Sequence, residues 1–144
     1  MQIDEDFSLD RVTVGITIES TVLTPEQISE RVGTGWDEVC RIGDPRGRTG
    51  KTWERNSWRI FERKSGDVST SAYDLLPLCL EARLQRLKPI SRNLKEICDS
   101  EGGEFFIHVT AKDVPGISLA PDTLRVLAAS GLSMDVDIIL YSDD

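Results

Sequence analysis

Apolar and polar residues alternate with a period of two in four stretches of the chain, and apolar residues recur at helical spacing between them. Val12, Val14, Ile16 and Ile18 are apolar while Thr13, Gly15, Thr17 and Glu19 are not, which predicts a strand with one buried face. The second stretch, 57–63, sets Trp58, Ile60 and Glu62 against Ser57, Arg59, Phe61 and Arg63. In the third, Phe105, Ile107 and Val109 alternate with Phe106, His108 and Thr110. The fourth places Met134, Val136, Ile138 and Leu140 opposite Ser133, Asp135 and Asp137, and a single buried face is expected here too. Ile139 and Tyr141 break the polarity of its outer side. Residues 38–42 add a short edge strand.

The helical segments carry their own punctuation. Thr24-Pro25-Glu26-Gln27 combines a capping box with proline at the first helical position, predicting a helix over 25–32. Leu76, Leu80, Leu84 and Leu87 form a longer seam, continued by Leu94, Ile97 and Cys98. Pro89 removes a mid-helix hydrogen bond, so this segment is expected to split into helices of about 75–87 and 90–99. With Asp74 as the cap, Pro77 falls harmlessly in the first turn. Pro121 opens a last helix, with Leu124, Leu127 and Ala128 as its apolar face, Leu119 stapled to Leu124, and Gly131 as a left-handed stop. The two proline-started helices each follow a strand, by duplication or by convergence on one capping solution.

The order of elements predicts an α+β two-layer sandwich in the ferredoxin-like neighbourhood. Its four- or five-stranded sheet carries helices packed on one face. Residues 1–10 read as an acidic N-terminal tail and 11–144 as one domain, in keeping with 144 residues and 39% hydrophobic content. No apolar run approaches the roughly 20 residues of a membrane helix, and no signal peptide opens the chain. Cys40, Cys79 and Cys98 form no CxxC pair and read as reduced thiols, so a cytoplasmic location is expected. The formal charge of −8 argues against a nucleic-acid partner and suits a basic protein partner.

Motifs for chemistry are weak. Gly50-Lys51-Thr52 resembles the end of a phosphate-binding loop, but Pro45 stands where the first glycine belongs and a strand, not a helix, should follow. No nucleotide or other cofactor is expected. Arg41, Arg46, Arg48, Lys51 and Arg55 make the same loop locally basic, either for an acidic partner or to pair with the chain's own acidic surface. Asp135 and Asp137 point the same way, about 7 Å apart by strand rise, as carboxylates at a metal or glycosidic site can. With no paired sugar-stacking aromatics and no second acidic cluster, a solvated strand face is the favoured explanation, and no metal site is expected. His108 is the single histidine, and an enzyme using it with Asp135 or Asp137 is the least favoured function.

The chain resembles a bacterial domain-of-unknown-function family, numbered 4279, over nearly its whole length. The resemblance rests on the first strand with Leu23-Thr24-Pro25-Glu26, on Arg41-Ile42-Gly43-Asp44 and on Ser57-Trp58. The leucine-rich helix, the 115–121 segment PGISLAP and the 131–138 segment GLSMDVDI complete it. It implies a small cytosolic domain with no assigned enzymatic activity and no catalytic residues; some relatives look like immunity proteins encoded beside secreted toxins.

The expected function is therefore non-enzymatic protein binding, of the immunity type that neutralises a toxin, with a small-molecule-sensing domain as the alternative. The expected partner surface is the outer sheet face, with Phe61, Phe106, His108, Asp135, Asp137, Ile139 and Tyr141. Trp36, Arg46, Arg48 and Trp53 are the loop candidates. Either Phe61, Phe106, Ile139 and Tyr141 form an exposed patch, or the 33–56 loop folds over them.

Overall fold

A computed structural model describes residues 9–142. The elements run β1 (Arg11–Ser20), α1 (Pro25–Val32), β2 (Glu38–Cys40), β3 (Asn56–Ser65), α2 (Ala72–Leu87), a 3-10 turn (Lys88–Ile90), α3 (Ser91–Cys98), β4 (Gly102–Ala111), α4 (Pro121–Ala129) and β5 (Ser133–Leu140). The five strands form one sheet in the order β2-β3-β1-β4-β5. β1 runs antiparallel to both β3 and β4, β2 antiparallel to β3, and β5 parallel to β4. The first four strands thus follow the βαββαβ order of ferredoxin-like sheets, and α4 with β5 is an additional crossover unit. Of the two proline-started units, β1–α1–β2 is split by β3, whereas β4 and β5 are neighbours.

The capping signals set the helix boundaries. Thr24 accepts a hydrogen bond from the Gln27 amide (3.2 Å), its own amide donates to Gln27 Oε1 (2.9 Å), and Gly33 closes α1 at φ +93°. α2 begins earlier than Asp74. Ser71 is its N-cap, and the Ser71 amide donates to the Asp74 carboxylate at 3.2 Å. Pro77 consequently lies inside the helix, its missing donor facing the exposed first turn around Tyr73. Pro89 breaks the long segment as expected, tightening it into the 3-10 turn between α2 and α3.

The core lies between the sheet and the helices. Val12, Val14, Ile16 and Ile18 of β1 are fully buried, with Trp58 and Ile60 beside them on β3 and Phe105, Ile107 and Val109 on β4. Ala72, Leu76, Cys79, Leu80 and Leu87 of α2 face them, with Leu94 and Ile97 from α3. The α2 seam differs from the leucine repeat: Leu84 is only half-buried, and Cys79 and Arg83 occupy the inward positions. Arg83 is 4% exposed, and its Nε has no hydrogen-bond partner. Its stem supplies packing that the spacing of leucines assigned to Leu84.

Coverage fails at one edge. The register places Met134, Val136, Ile138 and Leu140 on the helix side, opposite Phe105, Ile107, Val109 and Ala111. Met134, Val136 and Leu140 are nevertheless 41%, 44% and 52% exposed. The buried face expected for β5 is largely uncovered because the helical layer stops short of it. α4 inserts Leu127 into the core but leaves Leu124 and Ala128 exposed, which also corrects the apolar face expected for that helix.

Candidate interaction surface

The outer face of the sheet shields itself. Phe61 and Phe106 flank Gly15 across β1. A Cβ on Gly15 would lie 2.4 Å from the Ile60 carbonyl oxygen and 2.7 Å from both the Phe106 ring tip and Phe61 Cβ. The Phe106 ring therefore occupies the place a β1 side chain would take, as aromatic neighbours do beside strand glycines. The Arg59 guanidinium covers Phe106 at 4.5 Å and its Nε donates to Thr17. Arg63 covers Phe61 at 4.5 Å and donates to Thr13. The His108 ring sits 4.7 Å from Phe106, with Nε2 3.2 Å from Asp135 Oδ2.

Neither outcome expected for this face is the one found. Phe106 is 1% exposed, so it is no surface aromatic. Phe61 is half-buried beneath Arg63, and Tyr141 is tethered through its hydroxyl to Asp10 at 2.6 Å. The 33–56 segment does not supply the cover. Its 43–53 portion closes on itself through Gly43 to Trp53, Trp53 to Asp44 and Arg46 to Lys51 main-chain bonds, and Arg46 stacks on Trp53 at 4.8 Å. Arg41 pairs with Glu26 of α1, and Arg48 and Lys51 are exposed. Trp36 lies apart from that excursion, partly exposed in the turn before β2. After Thr52 the chain runs into β3, not into a helix.

Besides Arg11 and Arg63, this face is accessible along its β5 margin. Asp135 is partly exposed, and Asp137 and Ile139 are exposed. Burial, with Asp135 and Glu19 close by, pushes the Glu104 carboxyl above its ordinary range despite His108 and Arg59. β4 and β5 together contain Glu104, Asp135 and Asp137 and no lysine or arginine, so this margin of the sheet is acidic. Among the described residues no strand pairs with the other side of β5. The Tyr141 amide donates to the Ala111 carbonyl at 3.0 Å. By strand alternation the odd-numbered residues of β5 face β4, and Met134, Val136, Ile138 and Leu140 direct their N–H and C=O groups to the free edge.

Two concavities lie elsewhere. One of about 620 Å³ is lined by Asp10, Val68, Tyr73, Lys112, Val114 and Tyr141, among others. Asp10 is committed within it: its carboxylate accepts from the Ala72 amide (2.7 Å), the Lys112 amide (3.2 Å) and the Tyr141 hydroxyl. Burial would raise its pKa, but these hydrogen bonds prevail and hold it below the usual aspartate value. The second, about 410 Å³, is a groove between α2 and the start of α4, floored by Leu80, Leu84 and Leu119. Neither reaches His108 or Asp135. Burial raises the thiol pKa of Cys40, Cys79 and Cys98, the last to about 11, which leaves each protonated at neutral pH. Among the described residues no three His, Cys, Asp or Glu side chains converge as metal ligands, and no helix is long and apolar enough to cross a membrane.

A family model for a domain of unknown function, DUF4279, matches residues 10–141. The chain belongs to that family. The DUF4279 match begins at Asp10 and ends at Tyr141, the two side chains joined by the 2.6 Å hydrogen bond, so it takes in all five strands. No curated protein and no solved structure matches the chain.

The sequence pattern located Asp135, Asp137 and Ile139 on the accessible margin but assigned Met134, Val136 and Leu140 to the core. The local hint of this was the break in polarity at Ile139, which makes 138–140 apolar on both sides, unlike an ordinary half-buried strand.

Proposed function

We propose that this domain is a non-enzymatic protein-binding module whose partner adds a strand to the free edge of β5. We place it in the setting of a bacterial immunity-type protein that neutralises a toxin in the cytoplasm. The observation carrying this reading is the long edge of β5, with no described strand paired to its other side. Exposed edges are usually blunted by shortness, proline, charge (lysine above all) or a bulge, and of these β5 has only the charge of Asp135 and Asp137. The opposite edge, β2, is three residues long, whereas β5 has eight residues with no proline or lysine and a continuous register against β4. Strand addition there would satisfy four outward main-chain donors and acceptors and cover Met134, Val136 and Leu140. His108 and Asp135 support catalysis less well, because they sit on an open sheet with the Phe106 ring behind them, outside either cavity.

Val136→Pro is the discriminating variant, since it deletes an outward N–H and leaves the β4 ladder intact. Octapeptides selected by display against the wild-type protein are expected to bind it and to fail against Val136→Pro. Recovery of no binders, or of binders indifferent to the variant, overturns the reading. The toxin setting has its own test: co-expression with the toxic C-terminal domain from an adjacent reading frame should restore growth, and Val136→Pro should not.

A further inference from the structure

We infer that the strand received by β5 alternates basic and apolar residues, with lysine or arginine at two positions spaced i, i+2. This rests on the edge-binding reading and specifies the chemistry of its partner. A strand laid against β5 shares its two faces: on the helix side it meets Val136 and Ile138, on the outer side Asp135 and Asp137. The helix-side positions are uncovered and apolar, so they take apolar side chains. The outer positions are carboxylates at the margin of a strand pair that contains no lysine or arginine. On the outer face Arg59 stands three strands away on β3, held over Phe106 and bonded to Thr17, and Arg11 on β1 is level with Ile139 through Thr110, beyond the two carboxylates. His108 stands opposite Asp137 in the register and directs its Nε2 to Asp135. A residue opposite Asp137 that is apolar leaves the carboxylate half-desolvated, and an acidic one repels it, whereas lysine or arginine completes a cross-strand pair.

The same residues discriminate against a second copy of this chain. Antiparallel pairing of two β5 strands with like faces together can be centred on residue 136, 137 or 138. Centred on Val136, Asp135 stands opposite the copy's Asp137 twice; centred on Asp137, that residue meets itself. Only the register centred on Ile138 avoids direct apposition, and it brings together two chains each carrying −8.

The test is a titration of the full chain with two labelled octapeptides, one alternating lysine and valine, the other glutamate and valine, at low and high ionic strength. The lysine peptide should bind about tenfold tighter at low salt, as two exposed ion pairs allow. That preference should shrink at high salt and vanish in the Asp135→Asn/Asp137→Asn double variant. Val136→Pro, and Met134→Pro as a second edge block, should bind neither peptide while keeping the wild-type melting temperature. Equal binding of the two peptides, or a lysine preference that survives the double variant, overturns the inference and leaves the edge reading intact. Unchanged binding by both proline variants overturns the edge reading itself. A wild-type dimer at micromolar concentration that the proline variants dissolve shows that the edge takes its own copy, and the inference fails.

Discussion

At the scale of single residues, Gly15 constrains the sheet most tightly. No β-carbon fits between the Ile60 carbonyl and the two phenylalanines, so Gly15→Ala forces the strands apart and should cost about 3 kcal/mol in denaturant melts. Phe106→Leu in the same chain should recover part of that loss, and a double variant no more stable than Gly15→Ala would show that the ring is not the obstacle. The alternation of β1 was legible in the sequence, including Gly15 on its outer side. That glycine's role was not, because it depends on which residues of β3 and β4 stand beside it. Phe61 and Phe106 were likewise placed on the correct face, but their shelter comes from Arg59 and Arg63, long side chains whose direction no periodicity encodes.

At the scale of elements, local signals performed best where the deciding contacts are themselves local. The α1 capping box, the break at Pro89 and the left-handed Gly131 (φ +70°) all follow from residues within a few positions of one another. Burial depends on what lies across the gap, and there the leucine spacing of α2 misled. Leu87 is fully buried and Leu84 only half so. Leu87→Ala should therefore cost about 2–5 kcal/mol, and Leu84→Ala clearly less. Equal losses in chemical denaturation would restore the simple repeat and argue that Arg83 points outward. β5 shows the same limit: its alternation is that of a half-buried strand, yet α4 is too short and too far over α2 and α3 to cover it.

At the scale of the whole molecule, Asp10 joins four segments: the start of β1, the first turn of α2, the end of β4 and the residue after β5. Its folded pKa is depressed, so its contribution is present above the ordinary carboxylate range and is lost as pH falls through the lowered value. Asp10→Asn should lower stability at neutral pH by about 1.5–3 kcal/mol, the range for hydrogen bonds to a charged group. Between about pH 5 and pH 2 the variant should lose less additional stability than the wild type. Parallel pH profiles for the two proteins would remove Asp10 from this role. The central position of β1 has a consequence in time as well as in space. Of the five strands, the earliest in the chain is the one whose two neighbours, β3 and β4, arrive only after long stretches of intervening chain. Until β4 emerges, the run Val12, Val14, Ile16 and Ile18 has at most one side paired, so completion of the sheet must wait on loop closures of high contact order.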